Sequence, residues 1–360
     1  MTASTVGRLM VAGAAKCMSS RSRTTELRVL AGAVGVGALV AAVAGIRHRR
    51  STRGLTLSSD VEPNALLKTP TLKADISELT TDDGAIINVR AYGPVDGDPI
   101  VLSHGWTCST EFWYPQVNAL AGEYRVITYD QRGHGRSTVG NLPLGPDVLA
   151  DDLSAVLAAT VREDKKAVIV GHSMGGMSIM AWAGRHPDEV EKYASAVMLA
   201  STASGRLIAE TTVIPLPNRF PRVPVPVGRA ILSSPVPFVS SGAMTRAFRY
   251  VSMSPNATKA EIQFCENIVR ECKPRVRGGW GAALSTLDVH EGLDNLEVPT
   301  TVLVGALDRL APPVHARKLA QVLDDAGNLE RLIVLPGVGH MSSIENIDEF
   351  DKEIVRLRNL

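Results

Sequence analysis

Ser173 stands in the run Gly171-His172-Ser173-Met174-Gly175-Gly176, and a serine hydroxyl framed in this way can act as a nucleophile toward an acyl carbonyl. The β-branched residues Val168, Ile169 and Val170 lead into Gly171, and a small-residue apolar helix pattern begins beyond Gly176. The chain must therefore turn sharply at Ser173. Glycines two positions to either side remove the side chains that would collide with neighbouring backbone in a strained elbow. Such a turn lifts the serine Oγ clear of the sheet and aims the Met174 N–H at the same point in space, where it can stabilise an oxyanion. The hydroxyl also needs a base, and the base needs an orienting acid. Asp308 follows one apolar strand-like run in Ala306-Leu307-Asp308-Arg309, and His340 follows the next in Gly337-Val338-Gly339-His340-Met341.

The elements that must position these residues alternate along the chain. Strands are expected over 74–80 and 85–92, joined by Thr81-Asp82-Asp83-Gly84, whose Asp-Gly pair suits a tight hairpin. Further strands are expected at 99–103, 125–130, from Lys166 into the elbow, 194–200, 300–305 and 331–335, with helices at 145–160, 242–253, 258–272, 278–287, 314–325 and 344–357. Buried strands alternating with helices imply an α/β fold, a mostly parallel central sheet with helices on both faces. Ligands bind beyond the carboxyl ends of such strands. Ser173, Asp308 and His340 all fall at that edge.

These motifs resemble the α/β-hydrolase superfamily. His104-Gly105-Trp106, the Asp130 to Ser137 loop, Gly171 to Gly176, Gly305 to Asp308, and Gly337 to His340 occur in the superfamily's order, and the likeness spans residues 74–360. The resemblance implies an α/β-hydrolase fold with a helical cap insertion, and a serine hydrolase that needs no cofactor and no metal. Ser173 would attack the carbonyl, His340 would act as base and Asp308 would hold its tautomer. The backbone N–H groups of Trp106 and Met174 would form the oxyanion hole. Asp288 and Asp294 stay open as alternative acids. A serine at this position argues against haloalkane dehalogenase or epoxide hydrolase chemistry, which the superfamily runs from an aspartate. Perhydrolases of the haloperoxidase type, carbon-carbon bond hydrolases, acyltransferases and a non-catalytic ligand-binding member remain as alternatives. His104, His134 and His172 are expected to brace loops, and Asp130 and Arg132 to organise the loop beside the site.

The 360 residues, 45% hydrophobic, suffice for one large domain with an insertion. The core is expected over 74–200 and 294–360, and a cap or lid over 201–293, where seven prolines between residues 215 and 237 interrupt the alternation. Residues 1–53 carry nine of the 38 Lys/Arg and one acidic residue, Glu26, so the remainder is net acidic and offers nucleic acid no basic stripe. Residues 1–28 are expected to be a disordered basic leader, 29–46 a transmembrane or signal segment, and 47–73 a linker. The uncharged run Val29 to Ile46 could span about 27 Å as a helix, which predicts a single-pass membrane anchor. The alternative is secretion after cleavage near Ala42-Val43-Ala44. The substrate is expected to be a carboxylic ester, lipid or acylglycerol-like, because an anchored enzyme with an apolar cap can draw on a bilayer. The four cysteines form no C-x-x-C pair, so neither a zinc site nor a disulfide scaffold is indicated.

Overall fold

Gly84 takes φ +83°, the left-handed conformation that its place in an Asp-Gly turn demands. The turn joins β1 (Asp75–Thr80) and β2 (Ile86–Tyr92) as an antiparallel pair. A computed structural model describes residues 64–213, 225–235 and 241–360 of the chain. After the hairpin come β3 (Pro99–Ser103), α1 (Tyr114–Leu120), β4 (Arg125–Tyr129), α2 (Pro146–Thr160), β5 (Ala167–His172), α3 (Met174–Arg185), α4 (Asp188–Tyr193) and β6 (Ala194–Ala200). Helices α5 (Leu207–Glu210), α6 (Val225–Leu232), α7 (Gly242–Ser252), α8 (Lys259–Glu271) and α9 (Pro274–Leu284) occupy the interval before β7 (Thr300–Gly305). The chain closes with α10 (Pro313–Asp325), β8 (Leu329–Leu335), α11 (Ser342–Glu345) and α12 (Ile347–Arg358).

The described strands form one sheet in the order β1-β2-β4-β3-β5-β6-β7-β8. Strands β3 to β8 run parallel, and β2 meets β4 antiparallel, so the hairpin forms one margin. Every residue of β5 is buried, as a central parallel strand covered on both faces requires. Its side chains alternate: Ile169 packs with α2, α3 and α10 residues such as Leu153, Met177 and Leu319, whereas Val168 and Val170 pack with α1 and α12 residues such as Val117 and Phe350. Burying each of these side chains contributes about 1.5–3 kcal/mol, which anchors the strand that carries Ser173.

Two boundaries differ from expectation for local reasons. The carboxyl-terminal helix breaks at Asn346, which leaves helical geometry at φ −149° and caps α12 by accepting from the Glu349 N–H. Helix α9 starts at Pro274 rather than near Gly278, because proline suits the first turn, where no N–H partner is lost.

The membrane expectation is corrected. Among the described residues no helix is long and apolar enough to cross a membrane, which removes the support for a transmembrane, single-pass anchored protein. The run 29–46, the leader and most of the expected linker lie outside the described residues. Hydropathy alone had suggested the anchor, and a run so rich in glycine and alanine is a weak basis for one.

Gln116 of α1 binds the carboxyl-terminal helices to the sheet layer: its Nε2 donates to Ser343 O and to Asp351 Oδ1, both at 3.0 Å. Burial pushes the Asp351 carboxyl up to about 7, against the bond from Gln116 and with help from Asp348. The folded protein therefore holds this proton where the unfolded chain has released it, so this group's contribution to stability falls as pH rises from about 4 to about 7. Asp351→Asn keeps an acceptor for Gln116 and abolishes the titration. Urea unfolding is expected to show the variant gaining up to about 4 kcal/mol on the parent between pH 3 and pH 8, whereas a gain independent of pH would refute the assignment.

Candidate active site

Ser173 lies between β5 and α3 at φ 54° and ψ −116°, a conformation that costs an L-residue about 1–3 kcal/mol and persists only where its surroundings impose it. They do so through close backbone packing. A Cβ on Gly171 would stand 2.5 Å from the carbonyl of Gly175 and the nitrogen of Gly176, and a Cβ on Gly175 would collide with the Ser103 carbonyl at the end of β3. The Ser173 N–H donates to Ala200 O (2.9 Å), and the Thr202 hydroxyl donates to Ser173 O (2.6 Å). Gly175→Ala is accordingly expected to lose about 3 kcal/mol or more, because rigid backbone must move. Gly122→Ala, with nothing within 4 Å of the new methyl, should change stability little. Thermal melts of the pair check this: equal melting temperatures would mean that the elbow tolerates expansion.

The His104-Gly105-Trp106 loop packs on this turn. A Cβ on Gly105 would lie 3.2 Å from Ser173 Cβ and 3.0 Å from His172 Nδ1. Thr107, just beyond, takes φ 67° and turns the chain away from β3. The N–H groups of Trp106 and Met174 have no acceptor among the described residues. Two unspent backbone donors beside a candidate nucleophile are what an oxyanion needs. The Trp106 indole is held from outside, its Nε1 donating to Arg277 O in α9 at 3.1 Å.

Asp308 and His340 leave β7 and β8 at the same carboxyl edge, and the structure brings them together. His340 Nδ1 lies 2.8 Å from Asp308 Oδ2, with the two residues 5% and 3% exposed. The other carboxylate oxygen, Asp308 Oδ1, accepts the N–H groups of Leu310 and Ala311, both at 2.9 Å. The carboxylate is thus fixed on one side by loop donors and presents the other to the imidazole. Since a carboxylate accepts, Nδ1 is the ring nitrogen that carries a proton toward Asp308. Asp288 instead accepts from the His290 N–H.

The remaining histidines named from sequence are loop braces. His104 receives the Gln131 N–H on Nε2 and donates Nδ1–H to Gly105 O. His134 receives the Thr107 N–H on Nε2. His172 Nε2–H donates to the backbone carbonyl of His340 at 2.8 Å, so the residue beside Ser173 holds His340 through its backbone. Burial drives all three down, His104 to about 4 and His134 and His172 to about 3, and a charge on His340 would further oppose one on His172. All three are neutral. Asp130 gathers Asn88 Nδ2–H and the N–H groups of Thr110 and Arg136, and Arg132 bridges Asp152 and Asp83. Sequence reasoning missed Thr202 and the His172 link, which pair residues 29 and 168 positions apart and leave no local signature.

A mostly parallel sheet whose nucleophile candidate sits on a strained strand-to-helix turn at its carboxyl edge is the architecture of the α/β hydrolases. The chain belongs to that family: the profile described as alpha/beta hydrolase fold matches residues 98–347. It is 30% identical over 256 residues to a non-heme chloroperoxidase of Streptomyces lividans, covering 69% of this chain and 88% of that protein. It is 27% identical over 288 residues to a bifunctional esterase/perhydrolase of Acinetobacter calcoaceticus, covering 77% and 97%. Among solved structures it is similar to an esterase from Rhodococcus sp. ECU1013, with a TM-score of 0.59 at 26% identity, covering 79% of this chain and 99% of that one.

Proposed function

We propose that the protein hydrolyses carboxylic esters through an acyl-enzyme on Ser173. The observation that carries this reading is the buried His340–Asp308 pair at 2.8 Å, on the sheet edge where Ser173 occupies its strained turn. With Nδ1–H engaged by Asp308, Nε2 takes the Ser173 proton as Oγ attacks and returns it to the departing alcohol. The N–H groups of Met174 and Trp106 receive the oxyanion, a donor of this kind contributing about 100 to 1,000 fold in rate. Water then enters by the same route in reverse. Helices α5 to α9 cover the site and select the acyl group, with Trp106 at the contact between them and the oxyanion loop. The case for a lipid or acylglycerol substrate rested largely on a membrane anchor and is set aside with it. A small-molecule ester is the substrate class supported by the relatives.

The test is turnover of chromogenic esters from acetyl to palmitoyl by the full chain beside Ser173→Ala. Turnover that survives the substitution would refute the reading. A second reading, perhydrolysis, is favoured by the Acinetobacter relative, which carries both activities in its name. There hydrogen peroxide replaces water at the acyl-enzyme and releases a peracid. Peracid-dependent halide oxidation, lost with Ser173, would place it beside or above hydrolysis.

A further inference from the structure

His340 is fastened through its backbone on several sides. Its N–H donates to Ser252 O at 3.1 Å, and its carbonyl accepts from His172. The preceding residue, Gly339, donates its N–H to Glu345 Oε1 at 3.1 Å, while Glu345 Oε2 accepts the Ser254 N–H at 2.7 Å. The turn after α7 presses directly on the histidine loop, since a Cβ on Gly339 would stand 2.6 Å from the Met253 carbonyl carbon and the Ser254 nitrogen. The last turn of α7 grips the aspartate loop. Arg309, next to Asp308, donates from Nη1 to Tyr250 O at 2.8 Å and stacks its guanidinium 4.5 Å from the Tyr250 ring centre.

We propose that Glu345 is a positioning residue for the hydrolysis assigned above: its carboxylate ties the His340 loop to the 252–254 turn and so sets the imidazole against Asp308. The chemistry of the site requires a carboxylate. Each of its oxygens meets one backbone N–H, and hydrogen bonds to an ionised acceptor are roughly twice as strong as neutral ones. An amide offers one acceptor and turns its own NH2 against the second donor. Burial opposes the charge and raises the Glu345 pKa, so the group is kept there against a desolvation cost that the Ser254 hydroxyl and the two N–H donors partly offset. The role is positional because Glu345 reaches His340 only through the backbone of its neighbour.

The kinetic part of this proposal rests on the ester-hydrolase reading; the geometric part does not, and the experiment separates them. Full-length Glu345→Gln is compared with Glu353→Gln and Ser173→Ala. Glu353 is a buried carboxylate on α12 whose partners, Thr301 and Arg356, lie outside the histidine loop. Glu345→Gln is expected to lower kcat on a chromogenic ester by about 10 to 100 fold with KM nearly unchanged, the size of effect that a small misplacement of a catalytic group produces. It should also shift or broaden the downfield proton resonance of His340 Nδ1–H. Glu353→Gln should lose melting temperature yet keep both kcat and the resonance. Parental kcat and an unmoved resonance in Glu345→Gln would overturn the proposal. So would an equal kcat loss in Glu353→Gln, which would mark general destabilisation. If Ser173→Ala retains turnover, the hydrolase reading fails and the resonance alone decides. Should Glu345→Gln not fold, Glu345→Asp, charged but one methylene short of spanning both donors, is read in the same way.

Discussion

Ser173→Ala is expected to lower kcat for a chromogenic ester by on the order of a million fold, as loss of the nucleophile does in a serine triad. The size follows from what the substitution leaves behind. The methyl group fits the elbow, whose strain is imposed by Gly171, Gly175 and the Ala200 carbonyl rather than by the hydroxyl, so the fold and the two free N–H groups should persist. Substrate would still bind, and KM should move little. Residual catalysis of about 1,000 fold or more over water is expected from the oxyanion donors alone. A variant that is inactive because it is unfolded would be told apart by its melting curve. A folded variant with parental kcat would mean that acyl transfer does not pass through this serine.

Asp308→Asn is expected to cost about 10,000 fold in kcat with the melting temperature nearly unchanged. The reasoning is specific to this carboxylate. Its Oδ1 is committed to the Leu310 and Ala311 N–H groups, so the amide oxygen of asparagine must stay on that side. The NH2 group then faces His340 Nδ1 and can only donate to it. The imidazole is forced to carry its proton on Nε2, where it can no longer receive one from Ser173. Steady-state kinetics with the asparagine variant would show the fall in kcat, and a loss below about tenfold would mean that another group orients the base.

The positions of Ser173, Asp308 and His340 were legible because each follows an apolar strand of the parallel sheet, whose carboxyl edge is determined by strand direction alone. The glycines at 171 and 175 were legible for the same reason: a sharp strand-to-helix turn leaves no room for a side chain. The supporting shell was not. Glu345, the 252–254 turn, Thr202 and the His172 contact to the His340 carbonyl depend on how distant segments meet, and no spacing in the chain encodes that. The helix break at Asn346 was hidden inside an otherwise continuous amphipathic pattern. The membrane segment was misjudged because hydropathy over 29–46 was read without any structure to support it.

The bond from His172 to the His340 carbonyl joins residues 168 positions apart, so no local stretch of chain can form it. Translation proceeds from the amino terminus, so β3, β5 and the elbow can be complete while β8 is still inside the ribosome. During that interval the elbow stands without the His340–Asp308 pair. The elbow and the histidine–aspartate pair therefore come together only when strands distant in the chain have met, so the assembled site reports long-range pairing rather than local folding.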